Sequence, residues 1–408
     1  MHAMVSELVE LTGHIIDSLL LPKVLDDILD HHGSFEIVRI SVGKRKADPS
    51  YARIKVSAAS TERLHDLLKR IEQHGAVLIA QRDASVKPAP KAGVFPEGFY
   101  STTNLPTWVR ARGRWLHVAD LEMDCSIVLD SARRHARCVP MHRIAKHDRV
   151  VCGSAGIRVT PLERSRSPEV FQFMASAISS ERPKTRIIRA LADEIRVLKR
   201  ARRKVLVVAG PAVVHTGAAG YLEQLIRKGY VDVLFAGNGL ATHDIEYALF
   251  GTSLGIRLDH GIPAREGHEH HLRAINTMRR LGSIRAAVRA GVLRRGIMHA
   301  CVTHHATFVL AGSIRDDGPL PDVITDTMAA QDRMRAAVQG VGMALMIAST
   351  LHAIATGNIL PATVKTVCVD INPAVVTKLA DRGSFQSLGL VMDSESFLRE
   401  LVHQLTRR

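Results

Sequence analysis

The sequence predicts an α/β protein. Its C-terminal half is expected to be a doubly wound parallel sheet of the Rossmann type, preceded by a small N-terminal α/β module and a β-rich middle segment. Short apolar runs with β-branched residues, such as Lys204–Ala209 and Val364–Val369, are typical of buried parallel strands. Helical patterns alternate with these runs, and Gly, Asn or Asp follows their ends, as in doubly wound folds.

The first predicted domain, residues 1–94, is a ferredoxin-like α/β module. Ile15–Leu29 is apolar enough for a helix or for a strand followed by a helix, and Phe35–Val42 alternates as a half-buried strand does. Three further elements follow: strand Ala52–Ala58, helix Thr61–His74 and strand Ala76–Ala80. This strand–strand–helix–strand order favours a ferredoxin-like module. The segment Val86–Gly93 has the composition of a linker.

Two more domains are predicted after this module. Residues 95–184 carry strand-sized apolar pieces between Gly, Asp and Pro, which indicates a compact β-rich segment. Residues 185–408 begin with the helix Thr185–Arg200, and Val341–Ala355 near their middle is predicted as an apolar helix. The other predicted strands are Lys204–Ala209, Val231–Ala236, Thr307–Ala311, Val364–Val369 and Gly389–Met392, and the other predicted helices are Gly220–Lys228, Asp244–Phe250, His270–Leu281, Ser283–Ala290 and Asp326–Met334.

Length and composition exclude several protein classes. The 408 residues are 46% hydrophobic and 23% charged, as expected of a globular protein with two or three domains. No run of about 20 apolar residues is present, so we expect no membrane-spanning helix. The N-terminus lacks the basic start and the cleavage site of a secretory signal. The five cysteines form no CxxC pair, which argues against a disulfide framework or structural zinc and predicts a reducing cytoplasm.

The strong positive charge does not by itself indicate nucleic acid. The formal net charge is +15, with the densest basic runs at Lys199–Lys204 and Arg294–Arg295. Aromatic residues do not interleave with these runs, so no stacking platform is predicted. An anionic substrate or a generally basic proteome explains the charge equally well, and we expect no specific nucleic-acid partner.

An acidic loop at Ala311–Asp326 is the most informative stretch of the chain. Four acids and an arginine are crowded between glycines and prolines, directly after the apolar run Phe308–Leu310. Gly312 and Gly318 allow close backbone approach, while the two prolines stiffen the second half of the loop. Fixed carboxylates at the end of a strand suit a cofactor or substrate site. A merely structural turn is the alternative.

Other predicted strand ends carry polar residues as well. Ligands of open parallel sheets bind beyond the carboxyl ends of the strands. The loop Gly210–Gly217 could present backbone N–H groups to a phosphate or a carboxylate, although it matches neither GxGxxG nor a Walker loop. Asn238 could donate amide hydrogen bonds, Asp370 could accept from ribose hydroxyls, and Ser349–His352 could approach a phosphate. The structural alternatives are a left-handed Asn, a strand-to-helix cap and core packing.

Two constellations stand out in the middle segment. Phe99–Asn104 offers hydroxyl and amide donors that suit an amino-acid carboxylate. Glu122–Cys125 places two acids beside a thiol, which could hold an ammonium group or transfer protons. A polar turn and a partly buried cysteine are the alternatives. The histidine-rich Gly267–His271 lacks HExxH spacing and is better explained as a solvated helix start, so no metal site is predicted.

Several long motifs of the chain resemble the LOR/SDH-region family, which includes the alternative, archaeal-type ornithine cyclodeaminases. The likeness covers about Ile15 to Leu401. The motifs that carry it are VVAGPAVVHTGA, GYVDVLFAGNGLATHDIE, FGTSLG, AGSIRDDGPLPDVITD, VCVDINPAVVTKLADRGS and GFYSTTN. The resemblance implies a bound NAD in a C-terminal domain shaped like deoxyhypusine synthase. It also implies that the cofactor contacts Asn238, Gly239, Asp317, Ser349, Thr350, Leu351, His352, Asp370, Leu390 and Val391.

The reaction that this resemblance implies converts L-ornithine to L-proline with loss of ammonia. Hydride leaves an amine-bearing carbon, the other amine attacks the resulting imine, ammonia departs and the hydride returns, so that NAD is recycled. Such a route needs carboxylates that receive protons and hold ammonium groups. The candidates for catalysis are Asp124, Cys125, Asp316, Asp317 and His243. Asn104 or Arg315 is the candidate for binding the α-carboxylate.

Two alternatives stay open at this point. The same fold could serve a dehydrogenase or transferase that acts on lysine, saccharopine or a polyamine, or it could form a non-catalytic NAD or amino-acid sensor. Ammonia release from ornithine without net NADH would separate the first hypothesis from these two. A homodimer is also expected, because the apolar helix predicted at Val341–Ala355 would need a partner.

Overall fold

The computed structural model describes residues 4–16, 18–44, 48–72, 74–78, 82–160, 184–254, 256–257, 269–316, 318–381 and 387–407. The chain divides into two compact units. The first contains Met1–Gln172 and Asn358–Thr363, and the second contains Phe173–Gly357 and Val364–Arg408. The first unit therefore combines the module and the middle segment that the sequence separates at residue 94, and the exact domain boundaries stay predictions.

The N-terminal module is a four-stranded antiparallel sheet covered by two helices. Its elements are β1 (Val5–Gly13), α1 (Leu20–Asp30), β2 (Ser34–Ser41), β3 (Ser50–Ala58), α2 (Thr61–Glu72) and β4 (Val77–Leu78), and the sheet order is β2-β3-β1-β4. This βαββαβ arrangement is that of ferredoxin-like folds. Strand β1 was not predicted from the sequence. Its buried residues are Val9, Leu11 and Gly13, and each pairs with β3, so its role depends on a distant partner.

The middle segment forms a seven-stranded, mostly antiparallel sheet. Its strands are β5 (Ser85–Pro88), β6 (Thr107–Ala111), β7 (Arg114–Ala119), β8 (Ser126–Leu129), β9 (Ala136–Val139), β10 (Arg149–Cys152) and β11 (Ile157–Val159), in the order β11-β6-β7-β9-β8-β10-β5. The linker predicted at Val86–Gly93 is wrong over its first part, because Val86 and Pro88 belong to β5. This strand lies at the sheet edge, where proline is tolerated.

From Lys184 onward, helices and strands alternate. The elements are α3 (Lys184–Arg200), β12 (Lys204–Ala209), α4 (Ala212–His215), α5 (Ala219–Arg227), β13 (Val233–Gly237), α6 (Asn238–Phe250), β14 (Thr252–Ser253), β15 (Ile256–Arg257), α7 (His270–Leu281), α8 (Ile284–Arg289), α9 (Ile297–Thr303), β16 (Thr307–Ala311), β17 (Val323–Ile324), α10 (Thr327–Ala337), β18 (Val341–Ile347), α11 (Leu351–Ile359), β19 (Lys365–Asp370), α12 (Pro373–Asp381), β20 (Ser387–Val391) and α13 (Ser394–Thr406). Helix α3 shows how the pattern forms: Ile188, Leu191, Ala192 and Ile195 follow helical spacing and are buried.

The second unit is built on a parallel sheet in the order β17-β16-β13-β12-β18-β19-β20. The chain starts at β12, builds outward through β13 and β16, and then crosses to β18, β19 and β20 on the other side. This is the strand order of Rossmann folds, and the order reverses between β12 and β18. The prediction of a doubly wound, Rossmann-type sheet is confirmed.

The apolar helix predicted at Val341–Ala355 is wrong. Val341–Ile347 is β18, a central strand with all seven residues buried, and the helix α11 begins only at Leu351. A central parallel strand is apolar on both faces, so its sequence cannot be told from that of a buried helix by periodicity. These apolar residues are buried within the sheet, so they give no reason to expect a dimer.

Among the helices that the structure describes, none combines the length and the apolar character needed to cross a membrane.

Candidate active site

At the point between β12 and β18 where the strand order reverses, the backbone segments that follow the two strands are in close contact. Gly210, directly after β12, donates its N–H to the Ile347 carbonyl at 3.0 Å. A Cβ atom on Gly210 would lie 1.7 Å from the Ala348 carbonyl oxygen, so only glycine fits. Ala348 itself has a φ of 48°, in the left-handed region that non-glycine residues rarely adopt. Such strain is typical of functional sites, and ligands of this fold bind at this reversal point.

His352 links β18 to the ends of two other strands. It lies in the first turn of α11, and its ring donates a hydrogen bond to the Ala311 carbonyl at the end of β16. A Cβ on Gly237, at the end of β13, would lie 3.0 Å from His352 Cε1. Burial lowers the pKa of His352, so the ring is neutral near pH 7. One ring nitrogen is thus an acceptor for a ligand.

Asn238 is the first residue of α6, not part of the loop that the sequence suggested. Its side-chain oxygen accepts the Leu320 N–H at 3.0 Å and the Thr242 hydroxyl at 3.3 Å. Asn238 therefore holds the second half of the acidic loop, at Leu320, against the start of α6. Above Gly239 there is room: an added Cβ would find Pro211 as its nearest neighbour, at 3.8 Å.

The acids of the acidic loop serve different purposes. Asp316 is half-buried and accepts the Ser313 N–H at 2.9 Å, and its negative charge opposes the lowering of the His352 pKa. Asp322 accepts the Ile284 N–H at 2.7 Å, and Asp326 caps α10, so both are structural. The backbone of the exposed Arg315 is held by the Ser313 hydroxyl. Asp317 lies outside the described residues.

The remaining predicted cofactor residues line the same sheet edge. Asp370 ends β19, is half-buried and accepts the Asn372 N–H at 2.8 Å. Val391 lies opposite Asp370 on β20, and Leu390 is buried beside it. At the end of β18, Ser349 is buried whereas Thr350 and Leu351 are exposed. Because parallel strands end at a common edge, the following residues lie along that edge of the sheet: Asn238, Gly239, Asp316, Ser349, Thr350, Leu351, His352, Asp370, Leu390 and Val391.

His243, the predicted proton carrier on α6, forms a half-buried pair with His215. Its Nδ1 lies 2.9 Å from Glu246 Oε2, and the Thr252 hydroxyl donates to Glu246 Oε1 at 2.9 Å. The ring packs edge-on against His215, with centroids 4.7 Å apart. Burial and the neighbouring His243 lower the pKa of His215. Glu246 is fully buried and orients His243. Glu246 was not among the predicted site residues, although its position three residues after His243 on a helix was a usable signal.

Asp244, next to His243, is structural. It is fully buried and accepts the N–H groups of Ile297 and Met298, each at 2.8 Å, at the start of α9. Burial raises its pKa to about 7. The close approach explains Gly296, since a Cβ there would lie 2.8 Å from the Asp244 carboxylate. No local signal in the sequence could reveal this contact.

Three predicted site residues, Asn104, Asp124 and Cys125, lie in the first unit on two loops that are tied together. Thr102 donates its N–H to the Cys125 carbonyl at 2.9 Å, and Asp124 donates to the Thr102 carbonyl at 3.1 Å. The Thr102 hydroxyl donates to the Glu122 carbonyl at 2.8 Å and accepts the Cys125 N–H at 3.1 Å. Through these hydrogen bonds Thr102 connects both loops, a role that the sequence did not reveal.

The segment 358–363 of the same unit forms hydrogen bonds with both loops. Asn358 accepts the Met123 N–H at 2.9 Å, and Ala362 donates its N–H to the Asn104 carbonyl at 2.8 Å. Asn104 is buried. Asp124 is exposed and has a φ of 61°, a left-handed conformation that Asp tolerates better than most residues. The carboxylate of Asp124 is therefore open to solvent.

Cys125 has the environment of a structural thiol. It is buried, and its Sγ donates to the Met123 carbonyl at 3.5 Å. A hydrogen bond shared with Cys138 and burial raise the pKa of the Cys125 thiol. Since only a thiolate is nucleophilic or accepts a proton, this geometry favours Asp124 over Cys125 as the reactive group. Within the described residues, no group of three or more His, Cys, Asp or Glu side chains could hold a metal ion.

These features define a Rossmann-type protein with polar and acidic side chains at the carboxyl edge of its sheet. Three family models match the chain in succession: the LOR/SDH bifunctional enzyme conserved region over residues 6–105, the first C-terminal region of ArgZ-like arginine dihydrolases over 106–188, and their C-terminal Rossmann fold over 189–401. The chain belongs to this ArgZ-like, LOR/SDH family. The resemblance predicted from the motifs is confirmed.

Individual relatives agree over the full chain. An ornithine cyclodeaminase of Methanothermobacter thermautotrophicus is 53% identical over 98% of this chain and 97% of its own length. Apo ArgZ, an arginine dihydrolase from the ornithine-ammonia cycle in cyanobacteria, matches with a TM-score of 0.87 and 39% identity, over 99% of this chain and 59% of that one. The ternary complex of AgrE with ornithine and NAD⁺ matches with a TM-score of 0.54 and 42% identity, over 98% of this chain and 57% of that one.

Proposed function

We propose that this protein is an NAD-dependent ornithine cyclodeaminase, which converts L-ornithine to L-proline and ammonia. The observation that carries the proposal is the 53% identity to an archaeal ornithine cyclodeaminase over nearly the whole of both chains. The crystal structure of AgrE with ornithine and NAD⁺ supports the same substrate and cofactor.

The carboxyl edge of the second unit's sheet suits NAD. Helix α6 starts without a side-chain cap, so its first N–H groups are available to an anion such as a pyrophosphate. The open space above Gly239 allows close approach, and Asp370 at the end of β19 offers a carboxylate to ribose hydroxyls. His352 adds a neutral acceptor. When bound, NAD would supply a hydride acceptor for the amine-bearing carbon and return the hydride later.

The polar residues of the chain supply position and proton transfer. Asp316 and Asp124 are the carboxylates that we assign to the substrate's ammonium groups and to proton acceptance. Asn104 or Arg315 is assigned to the α-carboxylate, and His243, oriented by Glu246, to proton movement. Asp317 completes the proposed set, and Cys125, whose raised pKa keeps it a thiol, takes a supporting place beside Asp124. A location in the cytoplasm fits the five cysteines, all of them free and buried.

The test is an incubation of purified protein with L-ornithine and catalytic NAD, with proline and ammonia followed together. Equal amounts of both products without accumulation of NADH are expected. Consumption of lysine, saccharopine or a polyamine in place of ornithine would overturn the proposal. Binding of NAD and ornithine without turnover would favour a sensor.

A matched pair of loop variants separates chemistry from structure. Asp316→Asn keeps an oxygen that can accept the Ser313 N–H but removes the charge, so turnover should fall by about 10²–10⁴-fold while the protein stays folded. Asp326→Asn is the control. Asparagine caps helices as well as aspartate does, so this variant should retain both turnover and stability. Equal activity of the two variants would remove Asp316 from the mechanism.

A further inference from the structure

Strand β2 forms an edge of the N-terminal sheet and exposes an apolar surface there. The order β2-β3-β1-β4 leaves its outer side without a strand in the described part of the chain. Ile37, Val38, Ile40 and Val42 are 41%, 49%, 47% and 59% exposed. An unpaired, apolar edge strand is a template for pairing with another chain.

The sequence of β2, SFEIVRIS, is complementary to itself when reversed. If two copies align antiparallel about a two-fold axis between Ile37 and Val38, Glu36 of each copy lies opposite Arg39 of the other. Opposite charges directly across an antiparallel pair are stabilising. The two-fold axis generates this pair twice, as an isologous interface requires.

A bulge makes this alignment compatible with the faces of the strand. The register of β2 against β3 shifts between Ile37 and Arg39, so the alternation of faces changes by one residue at Val38. Phe35 and Ile40 consequently both pair with residues of the buried face of β3. In the self-paired alignment these two apolar side chains lie opposite each other.

Arg39 is poorly matched within its own sheet. It lies opposite Arg53 on β3, and the Arg53 guanidinium donates to Glu10 at 2.7 Å. No carboxylate of the described residues lies within ion-pair distance of Arg39. Glu36 of a second copy would supply one, and it would relieve the like-charge pair.

We propose that β2 pairs antiparallel with β2 of a second copy of this chain, which joins two four-stranded sheets into one of eight strands. Eight paired residues would give a seam about 27 Å long, at about 3.4 Å for each residue. The proposed catalytic function is not a premise of this inference, and the two stand or fall separately.

A charge swap in the full-length chain tests this interface. Arg39→Glu and Glu36→Arg each turn two attractive cross-strand pairs into repulsive ones. Each should weaken self-association by about tenfold or more in sedimentation velocity and light scattering. The double variant restores both pairs with reversed polarity and should regain the association. Arg63→Glu, an exposed change of the same charge on α2, is the control and should behave as the parent.

Each outcome decides the matter, provided that circular dichroism shows the variants folded. The seam is supported if the parent is a dimer that the single variants turn into monomers, or a tetramer that they turn into dimers, and if the double variant regains the parent's oligomeric state. A monomeric parent overturns it. Association that is insensitive to the single variants, or that the double variant fails to restore, places the interface elsewhere and also overturns the proposal.

Discussion

Replacing Gly210 by alanine tests the geometry of the β12–β18 reversal point. The new Cβ would lie 1.7 Å from the Ala348 carbonyl oxygen, half of the 3.4 Å at which ordinary van der Waals contact begins. The obstacle is backbone, which cannot rotate away as a flexible side chain would. Either strand must therefore shift within a close-packed sheet. Overpacking of this kind costs about 1–3 kcal/mol, and we expect the upper part of that range.

The assay combines thermal unfolding with NAD binding. For a unit of 150–250 residues, such as the second unit, about 3 kcal/mol corresponds to a fall in the Tm of that unit of roughly 6–12 °C. Because the same backbone borders the proposed cofactor crevice, the dissociation constant for NAD should rise as well. The matched control for the unfolding measurement is Gly239→Ala, where the added Cβ meets only ordinary contacts from 3.8 Å. Gly239 lies in the proposed cofactor crevice, so this variant is compared for stability alone. Alanine inside α6 should stabilise the protein by about 0.5–1 kcal/mol.

Two results would refute this reasoning. If Gly210→Ala unfolds at the parent temperature and binds NAD equally well, the strands are not in contact at the reversal point. If Gly239→Ala destabilises the protein as much as Gly210→Ala, the two positions do not differ in the space that they leave for a Cβ atom. Loss of stability in Gly210→Ala with unchanged NAD binding would place the cofactor away from this edge.

Three further substitutions test individual residues. Asp370→Asn keeps the oxygen that closes its turn, so stability should not change, while NAD affinity measured by calorimetry should fall about 10–100-fold as a charged hydrogen bond is lost. Glu246→Gln removes the negative charge that partly raises the pKa of His215, so an NMR titration should place that pKa lower still. Asp244 has a folded pKa of about 7 against an ordinary 3.8, so its folded form keeps a proton that the unfolded chain releases. As the pH rises from 4 to 7, the unfolding free energy should therefore fall by up to about 1.4 kcal/mol per pH unit, and Asp244→Asn should lack this slope.

The sheet of the second unit was largely predictable because its strands are buried on both faces. Runs such as Lys204–Ala209 and Thr307–Ala311 are short, apolar and bounded by turn residues, and the structure places strands there. The same property produced the error at Val341–Ala355. Strand β1 was missed for the opposite reason, since it buries only alternate residues and pairs with a partner about 45 residues away.

The candidate site was predictable where it follows from topology. Parallel strands end at one edge, so polar residues after separate strands had to meet, as His352 and Asp316 do. What the sequence could not supply are contacts that depend on side-chain direction. Asn238 fastens Leu320, and Asp244 caps α9 through N–H groups more than 50 residues away. Hydrogen bonds of this kind leave no periodic trace in the chain.

His352 and Asp316 together suggest how the edge is tuned for a recycled hydride. A positive ring at the crevice would repel the positively charged nicotinamide of NAD⁺, whereas a neutral ring does not. Burial lowers the pKa of His352 and favours the neutral ring, while the hydrogen bond to Ala311 and, after it, the charge of Asp316 raise the pKa by less. The hydrogen bond to Ala311 holds the ring in place in either form. In the proposed mechanism Asp316 accepts a proton from the substrate and so loses the charge that raises the pKa of His352. The ring then becomes neutral more readily. Proton acceptance by Asp316 and neutrality of His352 therefore favour each other.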